Sequence, residues 1–320
     1  MMDHRVANIE KNIAVIGGAG FIGSHLVNRL IKEKTNVVVI DDLSTGSRDN
    51  INEQACFYQM KGEDAGVRDV LLSKSIQAVY FLAANSNVPL SVRDPLYDFN
   101  SLVCALNVIE TCRHTGVERL IFTSSGFIYG NTKTRPINEE TIFQPISPYA
   151  ISKRAIENYL EFYKEVYGLS CIILRLATVY GPRQVTGALS DYITKLAAGE
   201  QADFFGDGSK TRDYVYVDDV VDALIMSLEI NDLKSPIMNI GSGREIALID
   251  AYRKVAELLG REPRPSYQPD RPGELYGYSL SYEKAKKVMG WEPRTNFREG
   301  LKKILEYRGL LPSDKTVGIT

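Results

Sequence analysis

Tyr149 and Lys153 stand four residues apart in the stretch Ser147-Pro-Tyr149-Ala-Ile-Ser-Lys153. On a helix that spacing puts both side chains on one face, about one turn apart. A phenol beside an ammonium can act as a general base, because a nearby cation favours the phenolate over its reference pKa of about 10. Bringing that pKa to about 7 takes roughly 4 kcal/mol of differential stabilisation. One lysine does not supply all of it, so the chemistry needs a second cation close by. A Tyr and a Lys at this spacing are most often a solvated helix face, so the pair counts only if the rest of the chain builds a cleft over it.

The helix itself is well signalled. Ser147 suits the cap and Pro148 the first turn, where its missing N–H costs nothing. No Pro or Gly interrupts the run from Tyr149 to Tyr167, and Gly168 stops it. Upstream, Ile13–Ile16 reads as a short buried strand that runs straight into Gly17-Gly-Ala-Gly20-Phe21-Ile22-Gly23. A helix from Ser24 to about Lys34 follows, then a second buried strand, Asn36–Ile40, ending in Asp41-Asp42. Strand, Gly-rich turn, helix, strand and acid in that order form a dinucleotide-binding fingerprint. Glycines let backbone N–H groups approach a pyrophosphate, and the helix N-terminus adds partial positive charge. A carboxylate ending the second strand accepts from both adenosine ribose hydroxyls and repels a 2′-phosphate, so NAD is expected rather than NADP. Arg48 nearby weakens that preference.

The α/β alternation continues. Ala78–Leu82 reads as a strand opening into Ala83-Ala84-Asn85, Pro95–Thr115 as a helix closed by Gly116, and Arg119–Thr123 as a strand ending at Ser124-Ser125. Ligands in open α/β sheets lie beyond the carboxyl ends of the strands, where two hydroxyls could face a cofactor. Asn131–Gln144 reads as loop and Ser170–Leu174 as a further strand. After Pro182 the apolar runs shorten and Gly, Asp and aromatics mix, with a strand at Ile237–Ile240 and helices at Leu248–Leu259, Glu283–Met289 and Phe297–Arg308. The predicted fold class is α/β: a Rossmann-type doubly wound parallel sheet over residues 1–180, with a smaller mixed α/β C-terminal substrate domain over 181–320. The segment of about 213–245 is expected to return to the first domain.

Lys+Arg 38 against Asp+Glu 40 gives a net charge of −2, which points away from nucleic acid or an anionic membrane as the main partner. Four cysteines with no C-x-x-C pair and three histidines give no metal site and no disulfide framework, as expected of a reduced cytoplasmic protein. Met1–Asn12 has no apolar run suited to a signal peptide, no stretch reaches the length of a membrane span, and Leu311–Thr320 is expected to fray.

Taken together, Gly17-x-x-Gly20-x-x-Gly23, Ser124-Ser125 before Tyr129-Gly130, Tyr149-x-x-x-Lys153, Val179-Tyr-Gly-Pro-Arg183, Gly206-Asp-Gly, Arg212-Asp-Tyr-Val-Tyr-Val-Asp-Asp and Arg271-Pro-Gly-Glu resemble the extended short-chain dehydrogenase/reductase family. The nearest likeness within it is to NAD-dependent nucleotide-sugar epimerases of the UDP-glucose 4-epimerase type, from about Lys11 to about Tyr307. The resemblance implies Tyr149 as catalytic base, Lys153 as its electrostatic partner and a ligand of the nicotinamide ribose, and Ser125 as the hydroxyl that relays the sugar proton. It implies a cofactor site of Gly17, Gly20, Phe21, Ile22, Gly23, Asp41, Asp42, Asp64, Ala83, Ala84 and Asn100. Nicotinamide would be the second cation. Arg212 and Arg271 would grip the substrate diphosphate, with Thr178, Arg183 and Tyr278 completing the substrate site. The reaction implied is 4-epimerisation of a UDP-hexose through a transient 4-keto sugar.

Departures from the family pattern narrow this. Dehydratases of the family carry an Asp-Glu pair where this chain has Gly126-Phe127, and UDP-glucuronate decarboxylases a Glu where Phe127 stands. Neither residue here can move a proton. Thr178 replaces the usual Asn, as in uronate 4-epimerases, but Val185 stands where those tend to have Arg. Tyr278, seven residues after Arg271, matches the position that limits room beside the sugar's C2, so the resemblance implies a preference for glucose and galactose over their N-acetyl forms. A UDP-glucuronate 4-epimerase, a 4-ketoreductase that consumes free cofactor, and a non-catalytic cofactor-binding scaffold are the alternatives. The family's usual pairing through two helices, here Pro95–Thr115 and Tyr149–Tyr167, implies a homodimer, and Ile156, Tyr159, Leu160, Tyr163 and Tyr167 are too many large side chains for one buried stripe.

Overall fold

The computed structural model describes residues 11–230 and 236–311. The lead through Glu10 and the tail from residue 312, on which the expectations about a signal segment and fraying mostly fall, lie outside the described residues.

The first half alternates strand and helix: β1 (Asn12–Ile16), α1 (Phe21–Lys32), β2 (Asn36–Asp41), β3 (Cys56–Gln59), α2 (Gly66–Ser73), β4 (Ala78–Phe81), α3 (Val88–Arg93), α4 (Pro95–Thr115), β5 (Arg119–Ser125), α5 (Pro148–Tyr167) and β6 (Cys171–Leu176). The second half is finer-grained: β7 (Thr178–Tyr180), α6 (Ala188–Ala198), β8 (Ala202–Phe205), β9 (Thr211–Arg212), β10 (Tyr214–Tyr216), α7 (Val217–Leu228), β11 (Ile237–Ile240), β12 (Ile246–Ala247), α8 (Leu248–Leu259), β13 (Pro265–Gln268), α9 (Glu283–Met289) and α10 (Phe297–Tyr307).

Seven strands form one sheet in the order β11-β6-β5-β4-β1-β2-β3. Every pairing in it is parallel. The order reverses at β1, between β2 and β4, and that switch point opens a crevice beyond the strands' carboxyl ends. Alternation along β1 shows why the sheet is covered on both faces. Ile13 and Val15 join a core with Leu26 and Val27 of α1 and Val220 and Leu224 of α7, while Ala14 and Ile16 join one with Val108 of α4 and Ile156 of α5. A third, aromatic-rich core holds Tyr180, Tyr192, Phe204, Tyr214 and Tyr252 under three two-stranded sheets: β7 with β10, β9 with β12, and β8 with β13.

The two long helices start and stop where their residue types direct. Asp94 accepts from the Tyr97 N–H at 3.3 Å and Ser147 from the Ala150 N–H at 3.3 Å; a proline follows each cap. Gly116 and Gly168 close the helices in the left-handed conformation, at φ 72° and 70°. A buried ion pair ties α5 to the sheet. Arg175 on β6 donates to Glu157 at 3.0 and 2.8 Å and to the Tyr129 hydroxyl at 2.7 Å.

Several boundaries differ from the expectation. α1 begins at Phe21 rather than Ser24, because the last turn of the Gly loop is already helical, with Ser24 N–H donating to Gly20 O at 3.0 Å. The strand expected at Ser170–Leu174 extends through Leu176.

Candidate active site

At the crevice the Gly loop is held against two strand ends. Gly17 has φ +87°, and a Cβ there would stand 2.6 Å from the Ala83 N–H nitrogen. The first turn of α1 has no side-chain cap, so its N–H groups are available to an anion. Asp41 is 8 % exposed and accepts from Ala19 N–H at 2.9 Å and Leu43 N–H at 2.8 Å. Burial raises its pKa, and those two amides pull it back. A carboxylate has about four acceptor sites, so capacity remains for ribose hydroxyls. Asp42 accepts from Ser44 N–H at 2.9 Å. Arg48 is engaged on β3, donating to Gln59 at 3.0 Å with its guanidinium 5.3 Å from the Phe57 ring centroid.

Ser125, Tyr149 and Lys153 converge from the end of β5 and the first turns of α5. The Lys153 ammonium donates to the Thr123 carbonyl at 2.8 Å and lies 6.0 Å from the Tyr149 ring. Burial pulls the Lys153 pKa down to about 8, with the charges of Asp98 and Glu157 opposing. Burial pushes the Tyr149 phenol up to about 12; the approach of the Ser125 hydroxyl lowers it and the Asp98 charge raises it. A phenol held that high needs a cation beside it before it can take a proton near neutrality.

Four buried side-chain polar atoms among the described residues have no hydrogen-bond partner: Asn85 Nδ2, Ser124 Oγ and both carboxylate oxygens of Asp98. Asn85, in the loop after β4, and Asp98, on α4, line the cleft with Tyr149 and Lys153, and Ser124 lies at the end of β5. Buried polar groups are ordinarily paired. Their clustering, with the Gly17 cradle and the acids ending β2, fits a dinucleotide lying across the crevice.

Beside Tyr149 the walls are aromatic. Phe127 packs edge-on against Tyr149 at 6.2 Å and Tyr278 at 5.6 Å, and the Arg212 guanidinium lies 5.8 Å from its centroid. Tyr278 is fully buried, and a Cβ on Gly126 would stand 2.9 Å from its ring. The Thr178 hydroxyl lies 2.9 Å from that of Tyr278. Arg212 donates to the carbonyls of Thr211 and Leu275 at 2.7 and 3.0 Å. The exposed Arg271 lies with its guanidinium 3.1 Å from the Phe205 centroid. Both flanking acids of its turn, Asp270 and Glu274, bind Lys210 at 2.7 and 2.8 Å. Among the described residues no cluster of His, Cys, Asp or Glu could hold a metal ion, and no helix is long and apolar enough to cross a membrane.

Asn100, Asp64 and Arg183 are not among the residues that line the cleft beside Tyr149 and Lys153. Asn100 is exposed on α4, and the residues of that helix that line the cleft are Asp98 and Ser101. Asp64 is exposed and caps its own turn, accepting from Lys61 N–H at 2.8 Å; its neighbour Glu63 faces Cys104 and raises that thiol's pKa after burial. Arg183, at φ +66°, turns to α1, with both terminal nitrogens 3.1 and 3.2 Å from the Asn28 amide oxygen once that amide is oriented to accept. Asp98, Ser101 and Ser152 were not singled out from the sequence. The signal was present in an inverted pattern, with small polar residues inward on α4 while Leu96, Tyr97, Phe99 and Val103 face out.

Residues 13–241 match the profile of the NAD dependent epimerase/dehydratase family. A UDP-glucose 4-epimerase of Mycolicibacterium smegmatis is 36% identical over 309 residues, spanning 92% of this chain and 97% of that protein. Among solved structures, the UDP-glucose 4-epimerase of Thermotoga maritima with UDP-glucose superposes at a TM-score of 0.89 with 40% identity, covering 93% of this chain and 98% of that one. That of Thermus thermophilus, in complex with NAD, gives 0.89 at 36% identity, covering 94% and 100%. A UDP-glucuronic acid 4-epimerase from Bacillus cereus, in complex with UDP-glucuronic acid and NAD, gives 0.88 at 26% identity, covering 94% and 100%. With a crevice built for a dinucleotide and likenesses that span nearly its whole length, the chain belongs to the NAD dependent epimerase/dehydratase family.

Proposed function

We propose that this protein is an NAD-dependent 4-epimerase that interconverts UDP-glucose and UDP-galactose. The observation that carries the reading is the convergence of Ser125, Tyr149 and Lys153 on the cleft, beside a sugar wall of Gly126 and Phe127 that offers no further acid or base. The epimerases named above, alike over nearly the whole chain, support it.

Bound NAD would accept a hydride from the sugar C4 and return it to the opposite face. Tyr149 takes the proton of the sugar 4-hydroxyl as that hydride leaves and gives it back at the end, with Ser125 in the hydrogen-bond path. General acid–base work of this kind contributes about 10²- to 10⁴-fold. Lys153 orients the cofactor ribose and adds its charge. Arg212 and Arg271, as planar donor forks, hold the diphosphate while the sugar turns over between the two hydride transfers. Asp41 and Asp42 take the adenosine end. The groups that dehydration or decarboxylation would need are absent at Gly126 and Phe127.

A UDP-glucuronate 4-epimerase is the second reading, favoured by Thr178 and by the Bacillus cereus likeness. Against it stand Val185, 77 % exposed and apolar, and the engagement of the Thr178 hydroxyl with Tyr278. NMR of the purified protein with UDP-glucose and, separately, UDP-glucuronate, without added cofactor, decides. Formation of UDP-galactose supports the first reading, and turnover confined to the uronate replaces it.

The exposed apolar residues Phe99, Ile151, Phe162 and Val166 of α4 and α5 support a homodimer through these two helices. A monomer in light scattering at micromolar concentration would contradict it.

A further inference from the structure

Asp98 is the most anomalous side chain in the cleft. It is 1 % exposed, and neither carboxylate oxygen is in a well-formed hydrogen bond, although the Ser152 hydroxyl stands near them. Burial raises its pKa, while the nearby Ser152 hydroxyl and Lys153 charge pull it down. The Lys153 ammonium, which could have neutralised it directly, donates to the Thr123 carbonyl instead. A carboxylate in that state is costly unless a ligand completes it.

The surroundings limit what the ligand can be. A phosphate is repelled by the acid. A metal ion lacks further ligands, since no group of three candidate side chains exists among the described residues. Hydroxyl or amide donors remain. Ala83, Ala84 and Ser101 line the same cleft as the carboxylate, and so does Lys153. An acceptor and a donor that face one space suit a vicinal diol, whose hydroxyls both give and accept hydrogen bonds. NAD carries two such diols. The acids at the end of β2 stand at the adenosine end, on the far side of β1 from β4 and β5. The second diol belongs at the Tyr149–Lys153 end.

We propose that the Asp98 carboxylate accepts hydrogen bonds from the hydroxyls of the nicotinamide-side ribose, opposite the donors of Lys153, so that α4 as well as α5 grips this half of the cofactor. This rests on reading the cleft as the nicotinamide end of the site. The acid is a binding residue that fixes the ribose and takes no proton in the reaction.

The test is calorimetric titration of the full-length chain, freed of nucleotide, with NAD, ADP-ribose and ADP. ADP-ribose carries the second ribose without nicotinamide, and ADP lacks both. Asp98→Ala weakens NAD and ADP-ribose by about tenfold or more, the scale of a charged hydrogen bond, and leaves ADP within about twofold. Asp98→Asn, which keeps the shape, shows the same selectivity with a smaller loss. Equal losses for all three ligands, or no loss for any, overturn the proposal. The reading beneath it is judged separately on the wild-type chain and on Lys153→Met. If the wild type binds ADP-ribose no more tightly than ADP, and Lys153→Met changes neither, the cleft is not the ribose site and both ideas fall.

Discussion

The Tyr278 hydroxyl lies 2.9 Å from Thr178 Oγ1, a hundred residues away in the chain, and Tyr278 itself is wholly buried. This contact closes the aromatic wall beside Tyr149, where the proposed function places the sugar. The Tyr278 ring packs on Phe127 and stands where a Cβ on Gly126 would press it at 2.9 Å. Tyr278→Ser removes that bulk. The expected outcome is a rise of about tenfold or more in kcat/KM for UDP-N-acetylglucosamine relative to UDP-glucose, the scale a filled pocket commands. Tyr278→Phe keeps the shape and costs about 1 kcal/mol of stability through the lost hydrogen bond, with sugar preference unchanged. Competition assays with the two sugars check the preferences, and urea denaturation checks the stability.

Gly17 cannot carry a side chain. Its φ is +87°, and a Cβ would collide with the Ala83 backbone nitrogen at 2.6 Å. Gly17→Ala is expected to push the loop from the strand ends and abolish cofactor retention. The ultraviolet spectrum of the purified variant reads this directly, as loss of the nucleotide's absorbance beside that of the protein.

Glu157 and Arg175 are both fully buried and pair at 2.8 and 3.0 Å. Glu157→Ala leaves the guanidinium without its counter-ion inside the protein, and is expected to cost about 3–5 kcal/mol. The double replacement Glu157→Leu with Arg175→Met is expected to lose less than the single one. Urea denaturation of the three proteins checks the order.

Burial brings the Lys153 pKa down to about 8. The ammonium is present below that pH and lost above it, so in the free enzyme kcat/KM falls as pH rises through about 8. The same shift acts on stability with the opposite sign. The unfolded chain holds this proton to about pH 10.4, so it binds more protons than the folded chain between about 8 and 10.4, and raising the pH through that window favours folding. A pH–rate profile of Lys153→Met without the alkaline limb confirms the assignment.

Much of this was legible in the sequence because it is local. The caps Asp94 and Ser147, each followed by proline, and the terminal Gly116 and Gly168 mark α4 and α5 by themselves. The Gly loop between two apolar strands marks the crevice in the same way. What was not legible depends on packing. β3 is a half-exposed edge strand of mixed polarity, and α2 and α7 have neither a side-chain cap nor a closing glycine. The face of α4 that meets the cleft is fixed by its docking on α5, which brings in Asp98 and Ser101 and leaves Asn100 exposed. Arg183 sits in a motif near the substrate residues, yet its left-handed backbone sends the side chain to α1. No local pattern announces that turn.

The central claim is that the Tyr149 phenol, held up at about 12 by burial and eased by Ser125, moves the proton of the sugar 4-hydroxyl. NMR of UDP-glucose with Tyr149→Phe, at matched cofactor content and without added NAD, tests it most directly. The account predicts UDP-galactose from the wild type and a rate at least about 10²-fold lower from the variant. A variant that epimerises as fast as the wild type would contradict it.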